Sequence, residues 1–349
     1  MWCRNFMYDH NILKSNEFDV PVVSIGNITV GGTGKTPHTE YIVNLLKDIF
    51  KVTILSRGYK RDTSGYIKAS DTSTVADIGD EPKQMYRKFR GQADVAVCED
   101  RALGISQILK EQAGNQLIVL DDAYQHRSVV PRVNILLVDY NRPIFEDHLL
   151  PWGNLRESAK ESHRANIVIV TKCPPDLKPI ERRVISKHVD LLPSQSIYFT
   201  TFKYQPLRPV FQLTDTGDGQ PAISGDTSVL LITGIADTKV LEEYVQTTYS
   251  KKITHLKYND HYKFKPKDIA RIEQTFAAMP GPKVIITTEK DAMRLNEMSF
   301  STEAAQSMYY LPIEVSFVFD DQENLKNQLL KYVAEDQGNY RLHTTVRQF

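Results

Sequence analysis

Val20-Pro21-Val22-Val23-Ser24-Ile25, then Gly31-Gly32-Thr33-Gly34-Lys35-Thr36, then the amphipathic run from Thr39 to Phe50 decide the fold. Read in order they are an apolar strand, a glycine-rich turn and a helix. Such a turn presents several free backbone N–H groups and the positive end of a helix to one anion, and Lys35 adds a point charge. The hydroxyl of Thr36 is then placed to ligate Mg²⁺. Thr29, Val30 and residues 31–36 are therefore the candidate phosphate-loop positions. Thr29 stands five before Gly34, where the strict pattern G-x-x-x-x-G-K-[ST] has a glycine.

Working outward, strand-sized apolar runs recur at Val52–Ser56, Asp94–Cys98, Gln116–Asp121, Asn134–Asp139 and Asn166–Thr171, with helical stretches between them. This rhythm predicts an α/β fold, a mainly parallel sheet covered on both faces. Ligands of such sheets lie outside the carboxyl ends of the strands. The residues to read are thus Ser56-Arg57-Gly58-Tyr59, Glu99-Asp100-Arg101, Asp121-Asp122, Asp139 and Thr171-Lys172. Pro206, Pro209, Pro221 and the stretch Asp215-Thr216-Gly217-Asp218-Gly219 mark a connection. Beyond it a strand at Ser228–Thr233, a helix at Lys265–Met279, a strand at Lys283–Thr287 and a final helix near Asn324–Val333 predict a smaller α/β domain. The expected divisions are an N-terminal segment 1–19, a P-loop domain 20–200, a linker 201–228, a second domain 229–320 and a C-terminal helix and tail 321–349.

The 349 residues carry 43 basic and 43 acidic side chains, so no global field draws the chain to nucleic acid and any anion must be held by a local site. Cys3, Cys98 and Cys173 have no metal or disulfide spacing, which points to a reducing compartment. Apolar runs such as Leu117–Leu120 fall far short of the roughly 20 residues a spanning helix needs. The opening, Met1 to Tyr8, is aromatic and basic rather than signal-like, and is suited to contact with a lipid headgroup layer.

Four constellations carry chemistry. Leu117 to Leu120 followed by Asp121-Asp122 is a buried strand that delivers a carboxylate to a Mg²⁺ water shell. Gly79-Asp80-Glu81-Pro82 reads either as a helix start capped by Asp80 or as two carboxylates facing a transferred phosphate, one taking a proton from an acceptor hydroxyl. Asn259-Asp260-His261-Tyr262 offers an imidazole that needs a carboxylate partner, and Asp80 would serve. Pro151 to Glu157 offers the Arg156 guanidinium for phosphate recognition.

These motifs in this order resemble the tetraacyldisaccharide 4'-kinase family. The resemblance runs through Val23-Ser24-Ile25-Gly26-Asn27, Val30 to Pro37, Ser56 to Tyr59, Gly79 to Pro82, Asp100-Arg101, Asp121-Asp122 with Gln125-His126, Leu155-Arg156-Glu157, Asp260-His261 and Thr287 to Ala292. It implies phosphoryl transfer from ATP to the 4'-hydroxyl of a tetraacylated disaccharide 1-phosphate in lipid A biosynthesis. It further implies a monomer in peripheral contact with the cytoplasmic face of the inner membrane, and two domains joined by a β-stranded linker. Carried over, Asp80 resembles the catalytic base, His261 its partner, and Lys35 the phosphate-binding lysine. Glu81, Asp121 and Asp122 look like the metal-side carboxylates, with Thr36 as the hydroxyl ligand. Arg57, Tyr59, Arg101, Gln125, Arg156 and Glu157 fall on positions associated with the substrate headgroup or with positioning around the phosphates.

The chain departs from the family pattern at Met1-Trp2-Cys3, where a longer apolar segment usually precedes the Arg-Asn pair, and at Ala123-Tyr124, which replace Gly-Phe. Two rival classes fit less well. A P-loop GTPase would need a guanine-reading motif that Thr171-Lys172-Cys173-Pro174 does not complete, and a dimeric deviant-loop ATPase would have lysine at Val30. A kinase of soluble metabolites shares the cradle and differs only in its acceptor.

Overall fold

A computed structural model describes residues 2–111, 114–211, 221 and 223–346. Helix α1 (Trp2–Asp9) precedes β1 (Val22–Gly26), and the glycine turn leads into α2 (Lys35–Leu46). Then follow β2 (Val52–Ser56), β3 (Ile67–Lys68), α3 (Val75–Ile78), α4 (Asp80–Phe89), β4 (Asp94–Val97), α5 (Arg101–Glu111), β5 (Leu117–Leu120) and β6 (Val133–Asp139). Next come β7 (Ile167–Thr171), α6 (Pro179–His188), β8 (Ser196–Tyr204) and the short β9 (Arg208–Pro209). The later part holds β10 (Ser228–Thr233), α7 (Lys239–Thr248), β11 (Ile253–Lys257), α8 (Pro266–Ala278), β12 (Lys283–Thr288) and α9 (Glu289–Leu295). It ends with α10 (Thr302–Gln306), β13 (Met308–Leu311), β14 (Ile313–Phe317) and α11 (Gln322–Val346).

The fold is α/β with a large, mainly parallel sheet and a second, smaller one. The nine-stranded sheet runs β14-β8-β7-β6-β1-β5-β2-β4-β3, and only its edge strands β14 and β3 are antiparallel. Its central strands read as unbroken apolar runs because both faces are covered. One face packs Ile42, Val43 and Leu46 of α2, Met85 and Phe89 of α4, and Leu325 and Leu329 of α11. The other packs Ile105 and Ile108 of α5 against Leu55, Ile118 and Leu120. The second sheet runs β11-β10-β12-β13-β9, with Leu230, Ile232 and Ile285 packed on Ile272 and Phe276 of α8.

Three elements differ from expectation. The loop helix starts at Lys35 rather than Thr39 and ends at Leu46, because Gly34 turns left-handed (φ 85°) and the helix begins on the next residue. The strand β8 carries the large sheet through residues 201–204, so the expected linker 201–228 begins inside it; the Asp215–Gly219 stretch lies outside the described residues. Finally, β14 returns to pair with β8 at residues 313–317, satisfying an edge that would otherwise be open, so the small sheet ends at β13 rather than near 320.

Candidate active site

The turn after β1 is held from beneath. Buried Asn27 donates from Nδ2 to the hydroxyls of Thr33 at 2.8 Å and Thr29 at 3.3 Å, and the Thr171 hydroxyl donates to the Thr33 carbonyl at 2.9 Å. His38 Nδ1 donates to the Gly34 carbonyl at 2.7 Å, which leaves Nε2 to accept from Thr200 at 2.9 Å. Burial pushes the His38 imidazole down to about 4, so this brace stays neutral at physiological pH. A Cβ at Gly34 would lie 2.5 Å from the Phe202 ring, and one at Gly31 would lie 3.0 Å from an Arg142 guanidinium nitrogen. Glycine is required at 34, and Arg142 hangs over the turn. The Val30 N–H donates to the Asn154 carbonyl at 2.8 Å, tying the turn to the loop that carries Arg156.

The acid-tipped strand β5 lies beside β1. Buried Asp121 accepts from the hydroxyls of Thr39 at 2.9 Å and Ser56 at 3.2 Å. Burial, with the charges of Glu81 and Asp122, pushes its carboxyl up to about 7. Asp122 is left-handed (φ 47°), a conformation Asp tolerates, and its Oδ1 lies 3.6 Å from Lys35 Nζ with no hydrogen-bond partner although buried. Ala123 does not share that conformation, so its backbone does not require glycine. Among the described residues no three acidic, His or Cys side chains form a metal cage. Asp122 instead offers an unpartnered buried carboxylate oxygen beside Lys35, and its chain neighbour Asp121 a second carboxylate, so the donors present are oxygens. This donor set suits Mg²⁺, which keeps waters and phosphate oxygens in its remaining positions.

The second unit closes on α4. Asp80 is not an N-cap: Gly79 is, with φ 91°, and no side chain caps the helix. The Asp80 carboxylate reaches across instead. Its Oδ2 accepts from His261 Nδ1 at 2.9 Å and from Arg294 Nε at 3.1 Å, with Arg294 Nη2 also bonded to it, while Oδ1 accepts the Glu81 N–H at 2.9 Å. Burial alone would raise this carboxyl; the His261 hydrogen bond and the Lys290 and Arg294 charges outweigh it and hold the carboxyl far below its usual range. With Asp80 ionised, His261 donates from Nδ1, and its Nε2 accepts from Lys290 Nζ at 2.9 Å. Lys290 also bonds Glu81 Oε1 at 3.1 Å. A continuous chain therefore runs from Asp80 through His261 and Lys290 to Glu81. Arg294 is fixed in turn by Asp291 at 3.0 Å, and Asp291 accepts from Thr288 and from the Gly234 N–H.

The residues expected at the headgroup divide. Arg57 and Tyr59 are exposed, and the Tyr59 ring meets His261 edge-on with centroids 5.1 Å apart. Arg156 is half-buried, and its N–H bonds the Ile28 carbonyl at 2.8 Å. Arg101 has 0 % exposure and donates to the carbonyls of Cys98 at 2.5 Å and Asp121 at 3.1 Å, so it braces the end of β5. Gln125 donates to the Asn27 carbonyl at 2.6 Å. Buried Glu157 accepts from Asn5 at 3.1 Å and Arg164 at 2.7 Å, clamping α1 to the loop. Lys290, Arg294, Thr39, Ser56 and Arg142 carried no assigned role in the sequence. Lys290 lay in the quoted Thr287–Ala292 stretch, but nothing local marked its partners.

Strand, glycine turn, helix-borne lysine and acid-tipped neighbouring strand, with a second unit delivering an imidazole to Asp80, define a P-loop phosphotransferase. The chain belongs to the tetraacyldisaccharide 4'-kinase family: the family model LpxK, described as tetraacyldisaccharide-1-P 4'-kinase, matches residues 1–334. It is 45% identical over 344 residues to the tetraacyldisaccharide 4'-kinase of Phocaeicola vulgatus, covering 97% of this chain and 93% of that protein. It is 44% identical to the Bacteroides thetaiotaomicron protein of the same name, covering 96% and 90%. Its fold is similar to a crystal structure of LpxK from Aquifex aeolicus in complex with ATP, with TM-score 0.73, 27% identity and coverage of 95% and 94%.

Proposed function

We propose that this protein is an ATP-dependent lipid kinase that transfers the γ-phosphate to the 4'-hydroxyl of tetraacyldisaccharide 1-phosphate in lipid A biosynthesis. The observation that carries the reading is the 2.9 Å contact between His261 of the second unit and Asp80 at the start of α4. The backbone of residues 29–36 and Lys35 bind the phosphates, and Arg142 is positioned to join them. Thr36, Asp122, Asp121 and Glu81 would hold Mg²⁺, which supplies neutralisation of the charge that develops on the transferred group.

Asp80 takes the acceptor proton. Its Oδ2 is occupied by His261 and Arg294, but Oδ1 accepts a single backbone N–H and retains a lone pair for the hydroxyl. A carboxyl held so low is a weak base, and a weak base suffices because the proton leaves late in a loose phosphoryl-transfer transition state. Arg57, Tyr59 and Arg156 remain available for the headgroup, whereas Gln125 and Glu157 act by holding α1 and the loop.

Among the described residues no helix is long and apolar enough to cross a membrane. We place the protein at the cytoplasmic face of the inner membrane as a peripheral monomer, a position supported by the acylated acceptor. The test is transfer of labelled γ-phosphate from Mg-ATP to tetraacyldisaccharide 1-phosphate in mixed micelles, with the product's phosphate located by mass spectrometry. Label at the 4' position with wild type and none with Lys35→Ala supports the reading. Label entering a soluble sugar but not the lipid overturns it.

A further inference from the structure

The loop between β6 and β7 carries an apolar tip that the fold leaves uncovered. Leu149 is 49%, Leu150 54% and Trp152 90% exposed. The tip is nonetheless rigid. Asp147 Oδ1 accepts the N–H groups of His148 at 2.8 Å and Asn154 at 2.9 Å. The Leu150 N–H donates to the Leu155 carbonyl, the Leu155 N–H to the His148 carbonyl, and the Trp152 and Gly153 N–H groups to the Leu149 carbonyl, all at 2.9–3.2 Å. A Cβ at Gly153 would lie 2.3 Å from Asp147 and 2.4 Å from the His148 carbonyl, so only glycine closes this turn. The loop thus satisfies its backbone internally and points large apolar side chains outward, which is what entry into a lipid interface requires.

The same loop is fastened to the phosphate turn by two backbone hydrogen bonds that together pair Thr29 with Leu155. The Val30 N–H bonds the Asn154 carbonyl and the Arg156 N–H bonds the Ile28 carbonyl, both at 2.8 Å. Tip and cradle are thus joined through the backbone. Helix α1 joins the base of this loop through Asn5 and Glu157.

We propose that Leu149, Leu150 and Trp152 form an interfacial anchor that seats in the lipid–water boundary and holds the phosphate turn at headgroup depth. The inference rests on the lipid-kinase reading above. The occupant follows from the acceptor: its hydroxyl must come within bonding reach of a phosphate held by residues 29–36, while its acyl chains stay in the apolar layer. The boundary between headgroups and chains then passes beside the loop that carries Arg156 and is bonded to Val30. Indole, with an apolar ring and an N–H donor, partitions to that boundary.

Trp2 and Trp152 are the two tryptophans, so Trp2→Phe leaves Trp152 as the sole reporter. The full chain carrying that change is mixed with vesicles of phosphatidylethanolamine and phosphatidylglycerol. The proposal predicts a blue shift of the Trp152 emission and quenching by lipids brominated near the headgroup end of the acyl chain. In the native background, Trp152→Ala loses about tenfold in vesicle affinity, Trp152→Phe restores most of it, and KM for micellar acceptor rises while kcat and KM for ATP hold. Water-like emission in the presence of vesicles, absence of vesicle binding, or a shift that follows protein concentration without vesicles overturns the anchor. Failure of the kinase reading is seen separately, as no label transfer by wild type in detergent.

Discussion

His261 Nδ1 lies 2.9 Å from Asp80 Oδ2, joining residues 181 apart in the chain and carried by different sheets' elements. The contact orders both partners. Asp80 fixes the imidazole tautomer, and the imidazole occupies one carboxylate oxygen while the other accepts the Glu81 N–H.

Asp80→Ala removes the proton acceptor and is expected to slow turnover by about 10²- to 10⁴-fold, the usual scale for a general base. The KM for ATP should change little, since the hydrogen bonds of Asp80 go to His261, Arg294 and the Glu81 N–H. Steady-state kinetics check this, and an unaffected rate removes Asp80 from the mechanism.

Lys35→Ala should cost more than Asp80→Ala, because charge stabilisation of the migrating group exceeds the help given by a weak base. The two variants assayed side by side at saturating ATP give the ranking.

Lys290 donates to His261 Nε2 and bonds Glu81, so Lys290→Met frees the imidazole to rotate or change tautomer. Losing a hydrogen bond to a charged donor corresponds to about 10- to 100-fold in kcat if it persists in the transition state. The imidazole tautomer read by nitrogen NMR should shift with it; an unchanged spectrum would separate Lys290 from this role.

Arg294 pairs with Asp80 and Asp291, both buried. Arg294→Ala strands two carboxylates and should destabilise the fold by about 3–5 kcal/mol. Thermal melts test this, and a fall in Tm of a degree or less would contradict it.

Glu289 at the start of α9 is raised to about 7 from an ordinary 4.5, by burial first and then by the Glu40 charge, against Lys88, Arg208 and Arg87. A raised carboxyl contributes stability that is present below its unfolded value and lost as pH rises through the folded one. Stability should therefore fall as pH rises through about 7. Glu289→Gln should melt above wild type at pH about 8.5, with the gap narrowing as pH falls and closing at pH about 4. Parallel curves would contradict the assignment.

The parallel sheet was legible because its strands are apolar on both faces, and Val52–Ser56 and Ser228–Thr233 have the bounds expected of them. The phosphate turn was legible because its chemistry is local. The bonds of Arg101 to the Cys98 and Asp121 carbonyls were not legible, because its post-strand position says nothing of the carbonyls it meets. Lys290 and Arg294 went unassigned because their partners lie about 210 residues away, and a cross-unit ion pair leaves no periodic trace. The edge strand β14 was missed since its pairing with β8 is antiparallel and non-local.

The central claim is that Asp80 and His261 act as one unit. Single-turnover phosphoryl transfer by Asp80→Ala, His261→Ala and the double variant tests it most directly. If the pair is one device, the double variant is no slower than the slower single one. Losses that multiply would contradict the account and make His261 an independent contributor.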